Sequence, residues 1–572
     1  MTGRQRVAVV TGGGGGIGAA IAEELGRRGW FVVPLDPMVT LDGSERLPEP
    51  EETTAGRIVA AGGAARQASV SVTDGEAVDD LFESLAREHG GLDAVVNVAG
   101  ITRQTGFAHG TEEDWLAVLG VHLGGYLHVL RSALPLMTAA GSGRIVGVTS
   151  GSGWRPADAG AYSAAKRVVA ALTWELGRLL PTGVAVNAVS PIAATRMVAA
   201  AIDRAKERAR TGGRGGSGGG LSLAGMPGPA DLAPFGAHLL EDGFGWCTGQ
   251  VLFTGGSEVA LVGEPRLMEV VRTGGIGSLR RVLGTVVPRA FARAETAQAT
   301  DGGGNPRFGG LFDEPEAGSG GGGTGPRDPG GTGAAVAEVR TCALVTDRPA
   351  LGEALAGVLG ARGLTCHRLD TARGFGPAAA ALRSLVEARG PVDAVVVAAG
   401  AETRSGADGG GWERVLAEHA GIVDGLGADG AWARAVADYA LEASRPVHLV
   451  TLTEATTAGG RSRAQAAVQL ARVGPASTEG RVAAFGVSLE APEKESAVPA
   501  AELVGALLTD AGAAPLAGAE LVVGPGWVGL RSHPRPLGSI TYGGPAVPVW
   551  LDDALREMAG AGSPRHDGGD HR

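Results

Sequence analysis

The chain has 572 residues, more than one hydrophobic core usually holds, so we expect at least two domains. Its net charge of −11 argues against nucleic acid or an anionic membrane surface as a partner, because neither attracts an acidic protein. The chain opens without an apolar leader, lacks the ~18 continuous apolar residues that span a bilayer and has 3 widely separated cysteines, so we expect a cytoplasmic protein without a membrane segment, disulfide or metal.

The first half of the chain alternates apolar strands with helical patterns. Val7–Val10 predicts a strand, Ile17–Arg28 a helix and Phe31–Leu35 a second strand, which is the β-α-β unit of a parallel sheet. The alternation continues to about Phe253, and we therefore predict a first domain over residues 1–265. Its other predicted strands are Leu92–Val98, Arg144–Thr149 and Val184–Val189, and its long helices are Glu112–Met137 and Ala161–Leu180.

A change of composition and a repeated pattern mark the rest of the chain. Glycine, proline, threonine and aspartate dominate from about residue 290 to 332, so we predict a flexible linker over residues 266–334. After it the strand-helix pattern starts again, and PVDAVVVAAG at Pro391–Gly400 closely repeats GLDAVVNVAG at Gly91–Gly100. We predict a second domain of the same kind over residues 335–535, followed by a C-terminal tail over residues 536–572.

A glycine-rich turn, TGGGGGIG at Thr11–Gly18, lies between the first strand and the first helix. Glycine lets the backbone approach a pyrophosphate there, and the N-terminus of a helix favours its negative charge. Asp36 ends the next strand, where a carboxylate accepts hydrogen bonds from ribose hydroxyls and repels a 2′-phosphate. Because neither Pro37 nor Met38 supplies a guanidinium, we predict NAD as the cofactor, with NADP less favoured.

Two further motifs follow in order: Asn97-Val98-Ala99-Gly100 ends a predicted strand, and Tyr162 and Lys166 bound a YxxxK sequence. With the glycine turn they resemble the TGxxxGxG, NNAG and YxxxK motifs of the classical short-chain dehydrogenases/reductases. The resemblance covers about residues 5–260 and implies an α/β fold, here two Rossmann-like, doubly wound parallel-sheet domains in tandem. It implies cofactor contacts at Thr11, Gly12, Gly16, Ile17, Gly18, Asp36, Asn97, Ala99, Gly100, Tyr162, Lys166, Pro191 and Thr195.

The resemblance also implies roles for the catalytic residues. Tyr162 would exchange a proton with the substrate oxygen, and Ser150 would donate a hydrogen bond to that oxygen. Lys166 lies on the same helix face as Tyr162, so we expect its ammonium to lower the pKa of the phenol and to hold the nicotinamide ribose. Ser71 stands where many members have an adenine-contacting aspartate, and Asp74 is nearby.

Two positions depart from the family pattern and leave alternatives open. His122 stands where the family has a catalytic asparagine, so it either joins a proton relay as a catalytic residue or is a satisfied structural histidine. The interval from Ser150 to Tyr162 is one residue shorter than usual, which leaves Ser152 and Thr149 as substitutes for the catalytic serine.

The second repeat lacks the chemistry of the first. Asp347-Arg348-Pro349 replaces the glycine turn, and no Tyr-x-x-x-Lys follows Thr453, so it resembles a degenerate domain of the same family. Family members usually pair through the helices that correspond to Glu112–Met137 and Ala161–Leu180. We therefore expect the second half to supply the partner helices within one chain, an intramolecular pseudo-dimer, with homodimerisation of whole chains left open.

These observations predict an NAD-dependent alcohol dehydrogenase or ketoreductase that moves hydride between a nicotinamide and a small-molecule substrate. A polyketide, an acyl thioester or another secondary-metabolite ketone fits that expectation. The substrate lid is expected between Pro191 and Pro229 and contains the glycine-rich run Thr211–Gly220. Two alternatives are a non-catalytic NAD-binding scaffold and a dehydratase or epimerase on the same fold.

Overall fold

The structure, a computed structural model, describes residues 4–200, 202–203, 225–273, 279–300, 339–400 and 411–562. The predicted glycine-rich run at 211–220, residues 301–334 of the predicted linker and the last residues of the predicted tail, 563–572, lie outside that part. Within the described residues, no helix combines the length and apolar character needed to cross a membrane. The same residues contain no group of three or more histidine, cysteine or acidic side chains placed to hold a metal ion.

The described strands form two sheets, one of nine strands and one of eight. Both are mainly parallel, with antiparallel strands at one edge, and helices cover both faces. This confirms the predicted α/β class with two Rossmann-like, doubly wound sheets. The strands are β1 (Val7–Thr11), β2 (Phe31–Leu35), β3 (Ala64–Ala65), β4 (Ala94–Asn97), β5 (Gly143–Val148), β6 (Val184–Pro191), β7 (Val251–Gly255), β8 (Glu258–Gly263), β9 (Leu267–Arg272), β10 (Thr341–Thr346), β11 (Thr365–Leu369), β12 (Ala394–Ala398), β13 (Val447–Glu454), β14 (Val482–Leu489), β15 (Glu520–Gly524), β16 (Trp527–Arg531) and β17 (Arg535–Thr541).

The described helices connect the parallel strands and begin at polar caps or prolines where the sequence supplies them. Asp74 caps one helix through the Ala77 N–H, and Thr111 caps another in a reciprocal arrangement with Asp114. The helices are α1 (Gly16–Arg27), α2 (Thr54–Ala60), α3 (Gly75–His89), α4 (Glu112–Leu119), α5 (Gly125–Ala140), α6 (Gly160–Gly177), α7 (Pro229–His238), α8 (Leu279–Val286), α9 (Ala292–Thr300), α10 (Pro349–Gly360), α11 (Phe375–Arg389), α12 (Gly411–Glu418), α13 (Ile422–Glu442), α14 (Ala458–Ala471), α15 (Gly474–Ser477), α16 (Glu493–Thr509) and α17 (Leu551–Gly562).

The two sheets share one strand order. The first runs β3-β2-β1-β4-β5-β6-β7-β8-β17 and the second β11-β10-β12-β13-β14-β15-β16-β9. When β3 is left out of the first sheet, the two sheets have eight strands each, and these follow one another in the same order. The strand at the last position of each sheet comes from the opposite half of the chain: β17 pairs antiparallel with β8, and β9 pairs antiparallel with β16.

This exchange corrects the predicted domain boundaries. Residues 266–334 were predicted as linker, yet β9, α8 and α9 occupy much of 267–300 and pack with the second sheet. Residues 536–572 were predicted as a tail, yet β17 completes the first sheet and α17 buries Leu551 and Leu555 in its core. A strand can pair with any sheet edge whose backbone N–H and C=O groups are unpaired, and the composition of the strand does not show which edge that will be.

The predicted single helix over Glu112–Met137 is also corrected. It divides into α4 and α5 at a π-helical turn, Gly120–Gly124, which contains His122. Such turns insert one extra residue into the helical ladder and often occur at functional sites.

The halves meet through long helices. α6 lies along α14, and α4 contacts α13, where a methyl group on Gly430 would lie 2.4 Å from Trp115 Cζ3. One apolar cluster contains residues of both halves, including Leu172 of α6 and Leu470 of α14. A buried ion pair of 2.9 Å joins Arg167 Nη2 to Glu520 Oε2 across the same boundary.

Candidate active site

The glycine turn lies where β1 meets α1. Gly12 has a φ of +65°, and a methyl group there would lie 2.9 Å from Ala99 N. Gly18 admits no side chain either, because its Cβ would lie 2.3 Å from the Gly12 carbonyl oxygen. Gly16 and Ile17 form the first turn of α1, and the residue before them is a glycine that caps the helix without a side chain. The residues fit a dinucleotide, since the turn leaves room for a pyrophosphate at a helix N-terminus.

Asp36 lies beside this turn at the end of β2. Its two carboxylate oxygens accept hydrogen bonds from Gly14 N at 3.0 Å and Met38 N at 2.8 Å. Asp36 lines a cleft of about 160 Å³ next to Gly14, Arg46 and Gln67. The sequence predicts that the adenosine ribose binds beside the Asp36 carboxylate. Arg46 brings a guanidinium into this cleft, although neither of the residues that directly follow Asp36 carries one.

The end of β4 is joined to the turn by buried polar atoms. Thr11 Oγ1 donates to Asn97 Oδ1 at 2.9 Å and accepts a hydrogen bond from Ala99 N at 3.1 Å. Gly100 follows, and a methyl group there would lie 2.4 Å from His122 Cε1. Thr11, Asn97 and Ala99 therefore fix the spacing of two strand ends on the side of the sheet where the cofactor is expected.

His122 lies under the site, with its side chain almost wholly buried. Nε2 lies 2.8 Å from the carbonyl oxygen and 3.2 Å from the N–H of Ile101, whereas Nδ1 has no hydrogen-bond partner among the described residues. The ring meets that of Tyr162 edge-on, with centroids 4.9 Å apart. Burial, reinforced by the charge of Lys166, lowers the pKa of His122 to about 3, so the imidazole is neutral at physiological pH. The Ile101 contacts fit a structural histidine, and the unpartnered Nδ1 fits a relay.

Ser150, Tyr162 and Lys166 come together at the carboxyl end of β5 and the start of α6. Ser150 Oγ accepts a hydrogen bond from Ser152 N at 3.3 Å, and the Ser150 side chain is near enough to Tyr162 to lower its pKa in part. Lys166 Nζ donates to the Val148 carbonyl at 2.6 Å and lies 5.7 Å from the centre of the Tyr162 ring. Thr149 uses its hydroxyl elsewhere, donating to the Lys166 carbonyl at 2.6 Å, which favours Ser150 as the serine of the site.

The electrostatics of the pair differ from expectation. Burial raises the pKa of Tyr162, and the Ser150 hydroxyl opposes this only in part. Burial also lowers the pKa of Lys166 to about 7, because its ammonium has lost most of its water. The pKa of Tyr162 is therefore shifted in the direction opposite to the one expected, because desolvation dominates it.

The remaining predicted contacts follow β6. Pro191 ends that strand, and Thr195 begins the next helical turn, where its hydroxyl accepts a hydrogen bond from Val198 N at 3.2 Å. Thr195 Cγ2 would lie 3.9 Å from a methyl group on Gly16, which places it beside the glycine turn. The sequence reading missed its neighbour Arg196, whose Nη2 would lie 3.2 Å from a methyl group on Gly15. Asp74, the nearby alternative to Ser71, is used as the cap of α3.

The matching position of the second half is built differently. Its strand-to-helix turn holds Asp347, which accepts a hydrogen bond from Gly400 N at 2.7 Å. The N-terminus of α10 is occupied by the Glu493 carboxylate, which accepts a hydrogen bond from Leu351 N at 2.8 Å. A carboxylate of the chain itself thus lies where the first half leaves room for a phosphate.

Comparison with known proteins identifies relatives of the first half. Residues 6–206 match the short chain dehydrogenase family. An uncharacterized oxidoreductase of Staphylococcus epidermidis is 33% identical over 192 residues, 33% of this chain and 77% of that protein. The acetoacetyl-CoA reductase of Cupriavidus necator is 34% identical over 34% of this chain and 78% of its own length. The hydroxyacyl-CoA dehydrogenase ChsB1 of Mycobacterium tuberculosis is 37% identical over 34% of this chain and 63% of its own length.

Proposed function

Because this chain belongs to the short-chain dehydrogenase family, a family of nicotinamide-dependent oxidoreductases, we propose that it is an NAD-dependent alcohol dehydrogenase or ketoreductase. One observation carries the proposal: Ser150 and Lys166 both lie next to Tyr162, at the carboxyl end of β5 and the start of α6. A phenol, a hydroxyl and an amine in one partly buried place suit proton exchange with a substrate oxygen. We propose Ser150, Tyr162 and Lys166 as the catalytic residues.

The proposed chemistry divides between cofactor and protein. The nicotinamide supplies the hydride acceptor or donor when it is bound. Tyr162 exchanges a proton with the substrate oxygen, and the Ser150 hydroxyl donates a hydrogen bond to that oxygen and stabilises its developing charge. Tyr162 is protonated at neutral pH, as an ordinary phenol is, and its raised pKa favours the same form. A protonated phenol can deliver a proton to a carbonyl oxygen in the reductive direction.

The preference for NAD is proposed from Asp36. Its carboxylate is held by the Gly14 and Met38 N–H groups in the cleft where the adenosine ribose is expected. A carboxylate there accepts ribose hydroxyls and repels a 2′-phosphate, and Arg46 in the same cleft opposes that repulsion. We give the repulsion by Asp36 more weight than the attraction by Arg46, because Asp36 is hydrogen-bonded to the glycine turn itself.

The proposed substrate class is a 3-oxoacyl or 3-hydroxyacyl thioester. Two of the relatives are named for acyl-CoA substrates, the acetoacetyl-CoA reductase and the hydroxyacyl-CoA dehydrogenase. Both names imply chemistry at a carbonyl carbon or at a carbon that carries a hydroxyl. In the proposed site, Tyr162 and Ser150 would contact the oxygen on that carbon.

We further propose one active site per chain, with the second half as a degenerate domain that acts as an internal dimer partner. The equal strand order of the two sheets and the packing of α6 on α14 support this reading. Glu493 at the N-terminus of α10 argues against a second dinucleotide site, because its charge would repel a phosphate.

The test measures oxidation of NADH and NADPH by the full chain with acetoacetyl-CoA, and reduction of NAD with 3-hydroxybutyryl-CoA and a panel of secondary alcohols. Tyr162→Phe should lower kcat at least 100-fold, while Tyr439→Phe, a matched loss of a hydroxyl on α13 of the second half, should not. Binding of NAD without turnover of any substrate would favour the scaffold. Turnover without net change in NADH would favour a dehydratase or epimerase.

A further inference from the structure

The loop that carries Ser150 is held from outside its own half. After Ser150 the backbone forms a short 3-10 turn, Gly151–Gly153, closed by hydrogen bonds to the Ser150 and Gly151 carbonyls. The next carbonyls, those of residues 152, 154 and 155, point away from this turn and accept hydrogen bonds from two side chains of the second half.

Gln469 and Arg472, at the end of α14, supply those donors. Gln469 Nε2 donates to the Ser152 carbonyl at 2.8 Å and to the Arg155 carbonyl at 2.6 Å. Arg472 Nη1 donates to the Trp154 carbonyl at 2.9 Å and to Gln469 Oε1 at 3.2 Å. Two adjacent side chains of one helix therefore bind three carbonyls within four residues of the loop.

The opposite side of the loop rests on α6. A methyl group on Gly153 would lie 2.7 Å from the Lys166 carbonyl carbon, so the backbones are in direct contact. Thr149, just before Ser150, donates to the Lys166 carbonyl. The loop thus lies between the helix that carries Tyr162 and Lys166 and the helix that carries Gln469. A shift of the loop would move Ser150 relative to Tyr162.

The burial of Gln469 makes its hydrogen bonds to the loop important. Gln469 is 1% exposed, and most of the other buried residues of α14 are alanine, valine or leucine, so an unpaired amide there would be costly. Both hydrogens of the amide are used, and both reach the loop. Burial lowers the pKa of Arg472 to about 10, which still leaves the guanidinium charged at neutral pH.

We infer that Gln469 and Arg472 are positioning residues of the active site, which hold the Ser150 loop in its reactive geometry from the second half of the chain. The inference rests on the proposed function, because it assigns these residues to the Ser150–Tyr162 reaction. It gives the degenerate half a direct part in catalysis beyond packing.

The test compares two variants of the full chain. Gln469→Met keeps the size of the side chain and removes its donors. Arg461→Met is the matched control, because Arg461 lies on the same helix and contacts Glu175 of α6 at 2.9 Å, away from the loop. For each variant we would measure kcat, KM, the Kd for NADH and hydrogen exchange of the amides of residues 151–158.

Gln469→Met should lower kcat about 10- to 100-fold, leave the Kd for NADH within twofold and speed exchange in the loop at least tenfold. Arg461→Met should change none of these. If Gln469→Met does not fold, Gln469→Leu, an apolar and slightly smaller side chain, also lacks the donors, and the same losses are expected. Equal losses in both helix variants, or an unchanged kcat and loop exchange in Gln469→Met, would overturn the inference.

The two proposals fail differently. If the wild-type chain turns over no substrate, the proposed function fails. Hydrogen exchange of the loop amides then tests by itself whether Gln469 holds the loop. Unchanged exchange in Gln469→Met would reject that contact. If the wild type is active and Gln469→Met is fully active, the proposed function stands and the positioning role is rejected.

Discussion

The buried ion pair between the halves gives the sharpest test of the structure. Arg167 of α6 and Glu520 of β15 expose 2% and 3% of their side chains, and Nε and Nη1 of Arg167 have no hydrogen-bond partner among the described residues. Burial lowers the pKa of Arg167 and raises that of Glu520, so each charge is disfavoured there and depends on the other. The charges of Arg472 and Arg531 also lower the pKa of Glu520, but less than burial raises it.

Glu520→Leu should therefore lower the free energy of unfolding by about 3–5 kcal/mol, because it leaves the Arg167 guanidinium buried without a counter-charge. The double variant Arg167→Met/Glu520→Leu should recover most of that loss, since it removes both charges and fills the space. Urea unfolding followed by tryptophan fluorescence and by far-UV circular dichroism would measure both, with coincident transitions required before the energies are compared.

A surface pair provides the control. Arg66 and Glu88 lie 2.8 Å apart with nearly half of each side chain exposed, so Glu88→Gln should leave the unfolding midpoint unchanged. A Glu520→Leu midpoint equal to that of the wild type, or a double variant as unstable as the single one, would refute the reasoning.

Three further predictions follow. Asp36→Ala should reduce kcat/KM with NAD more than tenfold and raise the NADP-to-NAD ratio, as measured with both cofactors, because it removes the carboxylate that repels a 2′-phosphate; an unchanged ratio would contradict this. Burial lowers the pKa of His419 to about 4, whereas the unfolded chain has a pKa of 6.5 at this residue. The contribution of the neutral histidine to the free energy of unfolding is therefore complete above pH 6.5 and falls by about 3 kcal/mol as the pH drops to about 4. Between pH 8 and pH 5, the urea midpoint of His419→Gln should decline less steeply than that of the wild type. Deleting residues 551–572 should lower the unfolding midpoint, because Leu551 and Leu555 of α17 are wholly buried against the first sheet; a soluble, fully stable truncation would count against that packing of α17.

Short-range patterns were readable from the sequence. The strand, glycine turn and helix at the N-terminus depend on neighbours along the chain, and so does the position of Asp36 at the end of β2. The same holds for Tyr162 and Lys166, whose spacing places them on one face of α6. The repeat of the strand-helix order predicted the second sheet for the same reason.

Tertiary structure decided what depends on distant partners. The end of the first strand-helix alternation placed the start of the linker at residue 266, but β9 pairs with the edge strand β16, and β17 pairs with β8. An edge strand is chosen by which backbone groups remain unpaired after folding, and that information is spread over both halves.

The same distinction applies to the site. The sequence named Tyr162 and Lys166, but their burial reversed the expected shift in the pKa of the phenol, because desolvation depends on everything packed around a group. Gln469 and Arg472 carried no motif, and only the pairing of α14 with α6 brought them to the Ser150 loop. Local chemistry was thus determined by the sequence alone, whereas charge, edge pairing and the support of the active site were decided by contacts between residues hundreds of positions apart.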